Sequence, residues 1–166
     1  MLLKPEIKLE RVTDITLDIL RKYNISALIL DVDNTLSTHH GQILTDGLEE
    51  WLRLMENNGI KLLVLSNSKE GRVKPFAEKI KLDYISLGLK PLPGGFLRAL
   101  KRLGTKRRET AIVGDQIFTD ILGGRLVGLR TVLLTPIKLE TTPGFRFKRK
   151  IEGLVYRIYK IKNTEE

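Results

Sequence analysis

The fold of this chain is decided by the stretch Ile29-Leu30-Asp31-Val32-Asp33-Asn34-Thr35-Leu36. The apolar run from Ala27 to Leu30 ends in two carboxylates, Asp31 and Asp33, that one residue separates. A short apolar run bounded by polar residues predicts a buried parallel strand, and ligands bind at the carboxyl ends of such strands. Two carboxylates this close repel each other unless a cation or a shared proton relieves them, and Mg²⁺ favours oxygen ligands. The pair alone is equally consistent with a solvated turn at a strand end.

The length of 166 residues predicts one globular domain spanning residues 1–166. Hydrophobic residues make up 42% and charged residues 30% of the chain, which excludes a disordered protein. The first ten residues lack the features of a signal peptide, and no apolar run approaches the roughly 20 residues that cross a bilayer. The absence of cysteine excludes disulfides and thiolate zinc sites. We expect a cytoplasmic protein, and the alternative left open is a peripheral position on the inner face of the membrane.

The formal net charge of +9 is large for a chain of this size. Such a charge favours an anionic partner, such as a phosphate ester, an acidic lipid or RNA. The alternative is that the charge serves solubility alone.

Apolar runs that alternate with helical patterns predict an α/β fold, a doubly wound five-stranded parallel sheet. Residues 6–23 predict an amphipathic helix, or an extended entry followed by one. We expect Asp46 and Glu49 to form a capping box, Pro75 to lie in the first turn of its helix, and a further helix to begin at about Gly95. The five strands are expected at residues 27–31, 60–65, 84–86, 110–114 and 130–134.

Polar side chains follow four of these strands, and the carboxyl ends of parallel strands meet at one edge of a sheet. Carboxylates, a lysine and a hydroxyl at one edge are the groups that phosphoryl transfer through an aspartyl intermediate requires. The hydroxyl triplet at residues 66–68 is equally typical of a helix cap. The candidate residues are Asp31, Asp33, Ser66, Asn67, Lys90, Asp115 and Asp120.

Two adjacent histidines, His39 and His40, lie in a short polar loop after the Asp pair. No Glu or Cys is spaced to complete a zinc site with them. They are interpreted as solvated loop residues, with substrate contact as the alternative.

These residues resemble the motifs of the haloacid dehalogenase (HAD) superfamily. Asp31-Val32-Asp33-Asn34-Thr35 resembles its DxDxT motif, and Ser66, Lys90 and Gly114-Asp115 with Asp120 resemble its second, third and fourth motifs in order. The resemblance covers about residues 24–136 and is closest to subfamily IIIA and the YqeG group, related to mitochondrial phosphatidylglycerophosphate phosphatases. It implies a HAD-type core, and the short segments between the motifs leave no room for a substantial cap.

The resemblance also implies roles in catalysis. Asp31 would be the nucleophile, and Asp33 the general acid and base. Lys90 would balance the charge around Asp31. Ser66, assisted by the backbone of Asn67, would hold the phosphoryl group.

A magnesium site is implied by the same resemblance. Asp31, the backbone carbonyl of Asp33, and Asp115 would hold Mg²⁺. Asp120 would be a further ligand or a residue just behind the ligands. The implied activity is a magnesium-dependent phosphatase acting on a phosphomonoester, with phosphatidylglycerophosphate as one candidate and a soluble, nucleotide or protein substrate as alternatives.

The C-terminal segment is strongly basic and predicts a helix over about residues 145–161. Ile151, Leu154, Val155, Ile158 and Tyr159 fall at helical spacing among lysines and arginines. The favoured interpretation is that this stripe packs against the sheet. The alternative is that the helix contacts an anionic membrane surface.

Two non-enzymatic functions compete with a phosphatase. A response-regulator receiver also places acidic residues, a hydroxyl and a lysine on a doubly wound sheet, but its acceptor Asp follows the third strand, where this chain has Ser86. An RNA- or ribosome-associated binding module would use the basic surface, but the chain has no aromatic-rich stacking platform. The enzyme is therefore favoured.

Overall fold

The computed structural model of the protein describes residues 1–38, 43–138 and 141–164. Its centre is a parallel sheet of six strands, whose order across the sheet is Ile7–Leu9, Arg130–Leu134, Thr110–Gly114, Ala27–Leu30, Lys61–Leu65 and Tyr84–Ile85. The predicted α/β fold with a parallel sheet is confirmed, and His39 and His40 lie outside the described residues. The strands are β1 Ile7–Leu9, β2 Ala27–Leu30, β3 Lys61–Leu65, β4 Tyr84–Ile85, β5 Thr110–Gly114 and β6 Arg130–Leu134.

Helices cover the sheet and follow most of its strands. Short 3₁₀ turns occur at Val12–Asp14 and Arg107–Glu109, and a π-helical turn at Ile117–Ile121 precedes the helix Leu122–Val127. No helix in residues 1–38, 43–138 and 141–164 is both long enough and apolar enough to cross a membrane. The helices are α1 Leu17–Lys22, α2 Leu48–Asn57, α3 Glu70–Lys79, α4 Pro93–Leu103, α5 Leu122–Val127 and α6 Pro143–Tyr159.

Strand β2 is the point at which the order of the sheet reverses. The chain runs outward from β2 through β3 to β4, then returns to the other side of β2 with β5 and β6. Every residue of β2 is buried, as expected for a strand covered on both faces. Ligands of doubly wound sheets bind outside the carboxyl end at such a reversal, which here is the position of Asp31.

The sixth strand corrects the expected number of five. Within residues 6–23, Ile7–Leu9 is extended and pairs with Val132–Leu134, and only Leu17–Lys22 is α-helical, so the extended entry was the right alternative. The three-residue strand contains a buried lysine, whose Nζ donates to the Leu9 carbonyl at 2.8 Å and to Thr135 Oγ1 at 2.7 Å. This lysine, Lys8, interrupts the apolar pattern of the strand, so a prediction based on hydrophobicity alone misses it.

The local predictions for α2, α3 and α4 also need correction. The expected capping box of Asp46 and Glu49 is wrong, because Gly47 precedes the helix in the left-handed region at φ +75° and no side chain caps it. Pro75 lies in the interior of α3, not in its first turn, on a solvent-exposed side where water can satisfy the carbonyl that loses its partner. Helix α4 begins at Pro93, two residues before Gly95, and proline is favoured there.

The hydrophobic core lies on both faces of the sheet. The apolar stripe of α2, Leu48, Trp51, Leu52 and Met55, is buried. The stripe of α6 is not: Val155 is buried, but Ile151, Leu154 and Ile158 are exposed. The favoured interpretation that the whole stripe packs against the sheet is therefore wrong for these three residues.

We expect Ile29→Ala to lower the free energy of unfolding by about 2–5 kcal/mol, because Ile29 is fully buried in the centre of the sheet and its truncation leaves a cavity. Urea unfolding followed by circular dichroism measures the change. Leu126→Ala on α5 is the control, since that leucine is exposed and should change stability by less than about 0.5 kcal/mol. Equal losses in the two variants would contradict the placement of the core.

Candidate active site

A buried lysine joins two of the predicted carboxylates at the carboxyl edge of the sheet. Lys90 Nζ donates to Asp31 Oδ1 at 2.6 Å and to Asp120 Oδ1 at 2.7 Å. All three side chains are almost completely buried. Asp31 directly follows β2, Lys90 lies in the loop after β4, and Asp120 lies in the π-helical turn after β5. The predicted convergence of these three residues is thus observed.

Asn67 positions Lys90 through its side chain. Asn67 Oδ1 accepts the backbone N–H of Lys90 at 2.7 Å, and Asn67 Nδ2 donates to the Lys90 carbonyl at 3.1 Å. Two hydrogen bonds to one backbone unit fix both its place and its orientation. The sequence pointed to the Asn67 backbone as a phosphate contact, and this side-chain role was not foreseen.

Side chains of α6 hold Asp115 in place. Arg149 binds Asp115 Oδ2, and Arg149 Nη1 donates to the Asp115 carbonyl at 3.0 Å and to Glu152 Oε2 at 2.8 Å. Glu152 Oε1 in turn accepts the backbone N–H of Ile117 at 2.9 Å. Sequence reasoning missed Arg149 and Glu152. The available signal was Glu152, the single acidic residue of a basic helix, which follows Arg149 by three positions.

Gly114 makes room for Asp120. A Cβ atom at Gly114 would lie 2.2 Å from Asp120 Oδ2, which is closer than any non-bonded contact allows. Asp120 Oδ2 also accepts the backbone N–H of Gln116 at 3.2 Å. The turn that carries Asp120 is π-helical, a conformation that is frequent at functional sites.

The three carboxylates form a site that fits a divalent cation. Asp31, Asp115 and Asp120 each offer an oxygen, and these oxygens lie within 4.8 Å of one another. Asp115 Oδ1 is buried and has no hydrogen-bond partner within the described part of the chain. An orphaned buried carboxylate oxygen is costly, and an all-oxygen donor set suits Mg²⁺.

The formal charges of the connected group support the same conclusion. Within the described residues, four carboxylates, those of Asp31, Asp115, Asp120 and Glu152, contact two cations, Lys90 and Arg149. Two negative charges therefore remain uncompensated in a buried place. One divalent cation would neutralise them.

Burial shifts the pKa values of this group. Burial raises the pKa of Asp31 to about 7, because the nearby charge of Asp120 adds to the desolvation and Lys90 offsets only part of it. Burial and the charge of Asp31 likewise raise the pKa of Asp115 well above its ordinary value, against the opposing effect of Arg149. Burial alone would lower the pKa of Lys90, but the charges of Asp120 and Asp31 outweigh it and raise that pKa. Lys90 stays charged, while Asp31 and Asp115 resist ionisation.

Asp33 lies beside this group, on the wall of a cavity of about 370 Å³. Its carboxylate pairs with Arg72 of α3, another residue that sequence reasoning missed. Ser66 lines the same cavity and is nearly buried, and its Oγ accepts the backbone N–H of Ser68 at 3.1 Å. Phe76 and Lys79 complete part of the wall. The cavity thus lies between the predicted acid–base residue and the predicted phosphate-binding hydroxyl.

Comparisons with known proteins identify the family and the fold of this chain. A family model described as haloacid dehalogenase-like hydrolase matches residues 37–128, which is more than half of the chain and begins just after the Asp pair. The probable phosphatase YqeG of Bacillus subtilis is 34% identical over 160 residues, covering 95% of this chain and 92% of that protein. The mitochondrial phosphatidylglycerophosphatase GEP4 of Saccharomyces cerevisiae is 30% identical over 142 residues, covering 77% of each. The solved 4-nitrophenylphosphatase of Thermotoga maritima shares the fold with a TM-score of 0.59 at 13% identity, covering 73% of this chain and 89% of that one.

We expect Asp31→Asn to stabilise the metal-free protein at pH 8 by about 1–4 kcal/mol, because it removes one of the uncompensated buried charges. A carboxyl with a raised pKa costs the folded state stability as the pH rises from about 4 towards 7. The gain should therefore disappear near pH 4. Thermal unfolding in EDTA at both pH values measures it.

Two controls sharpen this stability test. Asp83→Asn changes an exposed carboxylate and should give no comparable gain. Added Mg²⁺ should raise the unfolding midpoint of the wild type more than that of Asp31→Asn. Equal metal responses would contradict the assignment of Asp31 to the cation site.

We expect Gly114→Ala to disrupt the site, because the new methyl group displaces Asp120 and, through it, Lys90. The variant should unfold more easily by a few kcal/mol and lose most of its stabilisation by Mg²⁺. Gly144→Ala in α6 is the matched control, since a Cβ there meets nothing within 4 Å. Calorimetry with and without Mg²⁺ tests both, and an unchanged Gly114→Ala protein would contradict the close approach.

Proposed function

Because the chain belongs to the haloacid dehalogenase-like hydrolases, we propose that it is a magnesium-dependent phosphomonoester hydrolase that works through an aspartyl-phosphate on Asp31. The expected family and its enzyme class, a phosphatase, are confirmed by the match to the family model and to YqeG. The magnesium-dependent mechanism on Asp31 is supported by the buried group of Asp31, Asp115 and Asp120 around Lys90, in which two formal negative charges remain uncompensated within the described residues.

Asp31 is the nucleophile of the proposed first step. Lys90 binds Asp31 Oδ1, so the proposal assigns the attack on phosphorus to Oδ2. The ester P–O bond breaks as the new bond from Asp31 to phosphorus forms. Asp33, on the cavity side, gives a proton to the departing alcohol oxygen.

Asp33 acts as a base in the second step. A water molecule attacks the phosphorus of the aspartyl-phosphate and gives its proton to Asp33. The bond between Asp31 and phosphorus breaks, inorganic phosphate leaves, and both carboxyl groups return to their starting state. Ser66 lines the same cavity as Asp33, which supports its role in holding the phosphoryl oxygens through these steps.

Mg²⁺ would be held by Asp31 and Asp115, with Asp120 as a further ligand or just behind them, and by the carbonyl of Asp33. When bound, the cation neutralises the charge that develops on phosphoryl oxygens. Lys90 keeps its own charge next to Asp31 and compensates part of the negative charge of the carboxylates. Arg149 occupies Asp115 Oδ2 and leaves Oδ1 for the cation.

The open surroundings of the site favour a bulky substrate. In the described residues between Asp33 and β3, the only helix is α2, and α3 alone separates β3 from β4. An uncapped site admits a phosphate on a large or surface-bound molecule. GEP4, a relative at 30% identity, is a phosphatidylglycerophosphatase, and we therefore propose phosphatidylglycerophosphate as the first substrate to test.

The assay compares the wild type with Asp31→Asn on phosphatidylglycerophosphate vesicles and on a soluble phosphomonoester, each with Mg²⁺ or EDTA. We expect phosphate release from the lipid that needs Mg²⁺ and falls by at least about 10³-fold in Asp31→Asn, since the nucleophile is lost. Asp83→Asn is the matched control. Release from the soluble ester alone would refute the lipid substrate and keep the mechanism. Release that survives in Asp31→Asn would refute the mechanism.

A further inference from the structure

Helix α6 presents two different faces. Four large apolar side chains on its outer face are exposed: Phe147 by 67%, Ile151 by 38%, Leu154 by 56% and Ile158 by 63%. At 3.6 residues per turn, they fall within an arc of roughly 60°. They form a continuous apolar stripe along a helix about 25 Å long.

The opposite face of α6 is anchored to the protein. Val155 is buried in a small cluster with Ile117, Ile121 and Leu133, and Tyr156 and Tyr159 pack against that cluster. Because these contacts and the Arg149–Asp115 pair fix the rotation of the helix about its axis, the exposed stripe cannot turn inward without breaking them. The outward orientation of the stripe is therefore built into the fold.

Cations flank the apolar stripe on one side. Arg146, Lys150 and Arg157 are exposed and lie on a ridge roughly 70–110° from its centre. The one acidic residue of α6, Glu152, is buried on the inner face and paired with Arg149. The outer surface of the helix is thus apolar and positive, with no compensating carboxylate of its own.

We propose that this outer face of α6 is a docking surface for a bilayer that contains anionic lipids. An exposed apolar stripe roughly 17 Å long, bordered by basic side chains, suits a helix lying in the membrane interface. The apolar groups enter the boundary of the acyl chains, and the cations contact lipid phosphates. This binding does not require the catalytic activity proposed above.

The charge on this surface favours a bilayer over two other partners, which are a second copy of this chain and an RNA. Pairing α6 with the same helix of a second copy would bring the basic ridges of two chains of charge +9 together. An RNA would contact the ridge and leave the four apolar side chains in water. A bilayer with anionic headgroups is the partner that buries the stripe and neutralises the ridge at once.

The experiment is flotation of the full chain with vesicles of phosphatidylcholine alone, or of phosphatidylcholine mixed with phosphatidylglycerol. We expect the wild type to bind the mixed vesicles and to bind the neutral vesicles far more weakly, with the difference shrinking at high salt. Ile151→Ser combined with Leu154→Ser should bind the mixed vesicles at least about tenfold more weakly.

Leu54→Ser combined with Leu126→Ser is the matched control, because it removes two exposed leucines from α2 and α5. It should bind as the wild type does. A triple variant, Arg146→Gln, Lys150→Gln and Arg157→Gln, should lose the preference for anionic vesicles. This triple variant keeps the test decisive if circular dichroism shows that the double serine variant does not fold. Wild-type binding that ignores phosphatidylglycerol, or a serine variant that floats as well as the wild type, would overturn the proposal. So would a dimer in sedimentation velocity that the serine variant abolishes while vesicle binding persists.

Discussion

The bridge that Lys90 makes between Asp31 and Asp120 is the interaction on which the rest of the site depends. Burying one ammonium and two carboxylates would cost several kcal/mol for each group left unpaired, so the three must stay together. They come from the end of β2, the loop after β4 and the turn after β5. The bridge thereby fixes the relative positions of three separate parts of the carboxyl edge. Asn67 holds the backbone of the lysine, and Gly114 leaves the space that Asp120 fills.

The second constraint is the excess of negative charge, and α6 sets how it is distributed. Without Arg149, Asp115 would lack a cationic partner, and both of its oxygens would lack a strong donor. With Arg149 in place, Oδ2 is satisfied and only Oδ1 remains without a partner in the described residues. Glu152 holds the arginine and is itself held by the backbone of Ile117. The C-terminal helix therefore determines which atom of Asp115 is presented to a cation.

Much of this arrangement could be predicted, because apolar runs that end abruptly in polar residues mark the ends of buried parallel strands. Asp31, Lys90, Asp115 and Asp120 were brought together by that rule alone. That rule does not predict residues whose role depends on how one secondary-structure element packs against another. Arg149 lies 34 positions from Asp115, and its one local signal is Glu152, the acidic residue three positions after it in a basic helix. The rule missed the short strand β1 as well, since a buried lysine interrupts its apolar pattern.

The two faces of α6 connect the site to the proposed membrane surface. The inner face is tied to Asp115 at the carboxyl edge of the sheet, so the plane in which the outer stripe would rest is fixed relative to that edge. A lipid phosphate stands only a few ångströms outside the apolar boundary that the stripe would enter. A capped site would have to open to receive it, whereas in the described residues the only helix between Asp33 and β3 is α2, and the only helix between β3 and β4 is α3. Docking through α6 would hold the enzyme beside a surface that contains the proposed lipid substrate and would replace a search in solution by one along the bilayer.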